Sequence, residues 1–130
     1  MGTFRFIYDD ENLKEIRVVC EGEKDMLETI KLFCIDSIPE ELEHEVELID
    51  DGYLIKSEEY GEEVLTHIFK YVYLVTRMVI VFKEGLEKKT DVENLDFSLL
   101  RPDIEKVADM DYHELAKLIG EIDDVAKVKE

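Results

Sequence analysis

From Tyr60 to Leu86 the apolar residues Val64, Ile68, Val72, Val75, Val79, Phe82 and Leu86 return at the helical period without a break. The segment is read as one long, heavily buried helix. The alternative is a strand pair, because Tyr71-Val72-Tyr73-Leu74-Val75 and Met78-Val79-Ile80-Val81-Phe82 are rich in β-branched and aromatic residues. A membrane span is not expected: His67, Lys70 and Arg77 interrupt the run, leaving no stretch of about 20 apolar residues. A helix this long needs a broad apolar surface to lie on, and the rest of the chain must supply it.

That surface is predicted to be a sheet. Phe4, Phe6 and Tyr8 alternate with Arg5 and Ile7, and Ile16, Val18 and Cys20 alternate with Arg17, Val19 and Glu21, with Asp9 to Leu13 as the turn. Met26, Leu27, Ile30, Phe33 and Cys34 then share a helical face from Lys24 to about Ile35, before Pro39. Asp50-Asp51-Gly52 connects a second strand pair, Val46 and Leu48 on one side, Tyr53 and Ile55 on the other. After the long helix, Pro102 suits a first helical turn, and Asp111 with Glu114 has the outline of a capping box. The expected fold is α+β: a four-stranded antiparallel sheet in ββαββα order, helices on one face, one long buried helix and a C-terminal helical pair. All 130 residues form one domain, with sheet and main helices over 1–88, a loop over 89–101 and helices over 102–128.

Charge restricts the partners. Thirty-four acidic against sixteen basic residues give a net charge of -18, spread along the chain, and Lys88-Lys89 is the only adjacent basic pair. Such a surface repels phosphate backbones and anionic membranes, so neither nucleic acid nor membrane is expected as a partner. A protein partner is expected instead, either a second copy or a basic chain. Glutamine is absent and only Asn12 and Asn94 represent asparagine, beside 21 glutamates and 12 lysines, which is the direction thermophile proteins take. The opening Met1-Gly2-Thr3-Phe4-Arg5 holds no apolar signal core, so the predicted location is the cytoplasm. Cys20 and Cys34, each inside an apolar stretch, are expected as small buried hydrophobes.

No catalytic residue is nominated. His44, His67 and His113 are isolated from one another in sequence. The acidic clusters lack calcium-loop spacing, and Cys20, Cys34 and His44 lack the close pair that zinc sites use, so neither metal nor cofactor is expected. Glycine-rich phosphate loops and nucleophile elbows are missing. Two functions follow. The first is a small non-catalytic interaction or scaffold protein, a homo-oligomer or a subunit of a larger assembly. The alternative is a small-molecule or metal-dependent enzyme with a carboxylate-lined pocket built from Glu58, Glu62 and His67, with Glu63 and His67 one turn apart.

The first function has a candidate surface. Opposite the face that covers the sheet, the long helix carries Glu63, Thr66, Lys70, Tyr73, Arg77, Ile80 and Glu84. Its apolar middle needs cover, either from the C-terminal helices or from a second chain meeting it about a two-fold axis. Lys70, Tyr73, Arg77 and Ile80 are the candidate interface residues.

Overall fold

Alternation writes the first hairpin: Phe6, Tyr8, Ile16 and Val18 are buried, while Glu15 and Arg17 between them are exposed. The computed structural model describes residues 3–21, 24–87, 100–122 and 126–129. In chain order the elements are β1 (Thr3–Tyr8), β2 (Glu15–Glu21), α1 (Lys24–Ile30), a π-helical turn continuing it (Lys31–Ile35), β3 (Glu45–Ile49), β4 (Gly52–Lys56), α2 (Gly61–Glu87), α3 (Arg101–Val107), α4 (Tyr112–Ile122) and β5 (Ala126–Lys129). The fold is α+β. Its four antiparallel strands run in the order β3-β4-β2-β1.

A fifth strand corrects the predicted C-terminus. Residues 126–128 were expected to end a helix, but β5 lies parallel to β1, with Phe6 opposite Val128. The reason is nonlocal: without β5, one side of β1 would present unpaired N–H and C=O groups. Local propensity in Ala126-Lys127-Val128-Lys129 does not report that demand.

The long helix forms as its period predicts and lies on the sheet. Val64, Leu65, Ile68, Phe69 and Val72 are at most 1% exposed. Phe69 meets the edge of Phe6 at 5.0 Å between ring centres and that of Tyr8 at 6.0 Å. By length and composition alone the stretch Gly61–Val81 could cross a membrane, but its first half is committed to the sheet. One predicted position is corrected. Val79, expected to face the sheet, is 56% exposed, while the side chains of Phe82 and Leu86 lie outside the described residues.

Two glycines fix the start of α2 and the second hairpin, both by close approach. A Cβ on Gly61 would stand 1.6 Å from the Leu13 carbonyl oxygen, so the β1–β2 loop packs directly on the first turn of the helix. A Cβ on Gly52 would stand 1.8 Å from the Val18 carbonyl oxygen. The glycine of Asp50-Asp51-Gly52 was read as a turn residue. It is the first residue of β4, and contact with β2 requires it. Ser57 completes the entry to α2. Its buried hydroxyl donates to the Glu43 carbonyl at 2.7 Å and accepts from the Tyr60 N–H at 3.1 Å.

Candidate functional site

Two grooves lie end to end along the outer side of α2. One wall comes from the segment holding Phe33 and Leu42, the other from residues between Leu100 and His113. Over the first half of the helix the groove is polar, about 430 Å³, with Glu62, Glu63, His67, Lys70, Asp111 and His113 around it. Over the second half it is apolar, about 230 Å³, between Phe33, Tyr71, Leu74, Met78, Leu100 and Ile104. The side chains that α2 contributes follow helical spacing: Glu63, His67, Tyr71, Leu74 and Met78.

The polar half is organised by two histidines. His67 Nε2 lies 2.9 Å from Ser37 Oγ, and that hydroxyl donates to the Phe33 carbonyl at 2.6 Å. A serine has one proton to give. With it spent on Phe33, His67 is the donor to Ser37, and the Nε2–H tautomer follows. The ring stacks on Tyr71 at 4.5 Å, and burial, followed by the charges of Lys70 and His44, pushes its pKa down to about 4. A histidine that donates to serine is not its base. The Ser37–His67 pair therefore has the wrong polarity for nucleophilic activation.

His113 is the opposite case. Its Nε2 meets both carboxylate oxygens of Asp10, at 3.0 and 3.1 Å, and Tyr112 donates its hydroxyl to the same carboxylate. The hydrogen bond from Tyr112, then that from His113, holds the Asp10 carboxyl below its usual range. The bond to Asp10 raises His113, assisted by the carboxylates of Asp10, Asp111 and Glu62. These contacts tie the β1–β2 loop to the first turn of α4. That turn is capped as its sequence predicts, with the Glu114 N–H donating to Asp111 Oδ1 at 2.9 Å.

The candidate interface residues are largely engaged within the chain. Tyr73 is 3% exposed and donates to Asp103 Oδ1 at 3.1 Å, Arg77 Nε lies 3.2 Å from the same oxygen, and Lys70 Nζ donates to the Ala108 carbonyl at 3.2 Å. Of the two covers considered for this strip, α3 and the turn after it supply the one seen. Ile80 is half-buried.

Of the set Glu58, Glu62 and His67, the two carboxylates share a concavity of about 250 Å³ with Asp10, Glu11, Glu59 and Glu63, where Glu58 also pairs with Lys14 at 3.2 Å. His67 lies apart from Glu58, at the polar groove with Glu62 and Glu63. Cys34 is buried, with its thiol pushed up to about 12 by desolvation, and Cys20 is half-buried. Among the described residues, no group of three His, Cys, Asp or Glu side chains is placed to hold a metal ion. A concavity of about 660 Å³ on the open sheet face is of mixed charge, and two of its cations, Lys14 and Lys56, already pair with Glu58 and Glu47.

The apolar groove went unread in the sequence. Its helical part was visible as Tyr71, Leu74 and Met78 at spacings of three and four. Its walls, Phe33 and Ile104, are brought there only by the tertiary fold. The chain matches no protein-family model, no curated protein and no solved structure. Fold and grooves define it as a two-layer α+β domain that carries a half-polar, half-apolar trough on its central helix.

Proposed function

We propose that the protein is a non-catalytic interaction module that docks a basic amphipathic helix of a partner protein along α2. The observation that carries this reading is the open apolar groove, with Phe33 40% and Ile104 45% exposed at its lips, in a chain of net charge -18. At about 230 Å³ it is smaller than the sites of about 300 to 1,000 Å³ that enclose small-molecule ligands. It suits the anchor side chains of a helix, which project at i, i+3, i+4 and i+7.

Charge selects the occupant. A second copy brings another -18 to the contact, whereas a basic helix sets apolar anchors against Leu74 and Met78 and its cations toward Glu62, Glu63 and Asp111 at the polar end.

The test uses a fluorescent leucine–lysine peptide with leucines at helical spacing, and a permuted peptide of the same composition without an apolar face. Anisotropy is expected to show binding of the first that weakens at least about tenfold in Met78→Glu, equivalent to about 1.4 kcal/mol. Equal binding of the permuted peptide reduces the interaction to bulk charge and overturns the reading. So does an unchanged affinity in Met78→Glu.

A further inference from the structure

Among the described residues, strand β3 pairs with β4 alone and ends the sheet, so that its other backbone edge is open. Ile49 and Gly52 flank the turn Asp50-Asp51, which makes them the hydrogen-bonded pair that closes the hairpin. Bonded and non-bonded pairs alternate along an antiparallel ladder. Leu48, opposite Tyr53, and Val46, opposite Ile55, therefore occupy non-bonded positions. Their N–H and C=O groups point away from β4, toward the open edge.

The side chains support the same conclusion. Val46 and Leu48 share a sheet face with Ile55, which is fully buried, yet they are 40% and 73% exposed, so the helical layer ends short of β3. Proteins usually protect such an edge with lysine, proline, a bulge or a covering element. The sequence Glu45-Val46-Glu47-Leu48-Ile49 has no lysine and no proline, and it pairs with β4 without a bulge. On the other face its charges are glutamates. Lys56 reaches Glu47 at 3.8 Å, an exposed pair that neutralises little.

We infer that β3 accepts an extended segment of another protein, in which lysines or arginines alternate with β-branched or aromatic residues, as an additional strand. Backbone hydrogen bonds to Val46 and Leu48 supply affinity; the alternation supplies choice. Apolar residues of the incoming strand cover Val46 and Leu48, and basic residues face Glu45 and Glu47. A second copy of this chain fits poorly, because antiparallel pairing of β3 with itself sets glutamates against glutamates.

The probe is a short fluorescent peptide alternating lysine and valine, tested on the full chain by anisotropy at low salt. Methylating its edge-facing amides is expected to weaken binding at least about tenfold. The Leu48→Pro variant is expected to lose as much. Proline there removes only an N–H that points outward, so the β3–β4 ladder and the urea midpoint are retained. In Glu47→Pro the lost N–H belongs to the ladder, and a lowered midpoint confirms the register. Equal binding of the methylated peptide overturns the inference, as does equal binding of a glutamate–valine peptide. Displacement by the leucine–lysine helical peptide would place both on one surface and also overturn it. A dimer in light scattering that Leu48→Pro dissolves would assign the edge to a second copy instead.

Discussion

Between Val64 and Val75 helix α2 turns its apolar residues into the core, and between Met78 and Val81 it carries residues of the same kind toward solvent. The first stretch includes five side chains at most 1% exposed; in the second Val79 is 56% exposed and Met78, Ile80 and Val81 are half-buried. Length explains the difference. The helix has 27 residues and spans about 40 Å. Strands β1, β2 and β4 have 6, 7 and 5 residues, and span about 17 to 24 Å. Part of the helix overhangs the layer that holds it. An apolar face without a sheet under it is where a partner gains most from burial.

Truncation distinguishes the two stretches of α2 most directly. Phe69→Ala removes a ring packed between Phe6 and Tyr8, and it should lower unfolding free energy by about 3 to 5 kcal/mol in urea titrations. Val79→Ala on the overhang should change it by no more than about 0.5 kcal/mol. Similar losses at both positions would mean that the overhang is part of the core. A smaller effect tests the wall of the polar groove. Asp111→Ala removes the cap of α4 and should cost about 1 kcal/mol, with Asp111→Asn retaining most of it.

His67, on the outer side of the first stretch, makes stability depend on pH. Its pKa in the folded chain, about 4, lies below the ordinary 6.5, so the unfolded chain takes up the proton first as pH falls. The stability linked to the neutral ring is complete above pH 6.5 and is lost progressively toward pH 4. His67→Gln keeps a side-chain N–H for Ser37 but does not titrate. It should flatten the dependence of the urea midpoint over that interval. An unchanged slope would remove His67 as its source.

What the sequence disclosed follows the range of the interactions. The cap that Asp111 gives to the Glu114 N–H spans three residues, and the hairpins close over short turns, so both were legible. The period of α2 was legible too, but a period states which side chains share a face and not how far the opposing surface extends. Val79 was misplaced for that reason. The Ser37–His67 bond joins residues 30 apart, and the Asp10–His113 contact spans 103. Neither leaves a local signature. The Ser57 hydroxyl and its acceptor, the Glu43 carbonyl, are likewise 14 residues apart. The apolar groove combined both cases: α2 showed its stripe, and only the fold brought Phe33 and Ile104 beside it.

The smallest expected effect lies at the polar end and has the opposite sign to that of His67. The His113 pKa is raised by Asp10, so its contribution is complete below the ordinary 6.5 and is lost as pH rises through the folded value. The Asp10 pKa is lowered, so its contribution holds above the ordinary 3.8 and is lost as pH falls through its own folded value. The ion pair is therefore fully formed between about pH 4 and 6.5, the window over which His67 works against the fold. Acidification from neutrality strengthens the tie between α4 and the β1–β2 loop while the neutral ring of His67 becomes harder to keep. The imidazole of His113 is 60% exposed, so screening keeps its share of the stability small. Its titration is the more sensitive readout. Proton NMR should place His113 above 6.5 and His67 well below it, and Asp10→Asn should bring His113 back toward 6.5 while leaving His67 in place. If both histidines moved together in Asp10→Asn, the two ends of the polar groove would be one coupled cluster, and the separate roles assigned to them would not stand.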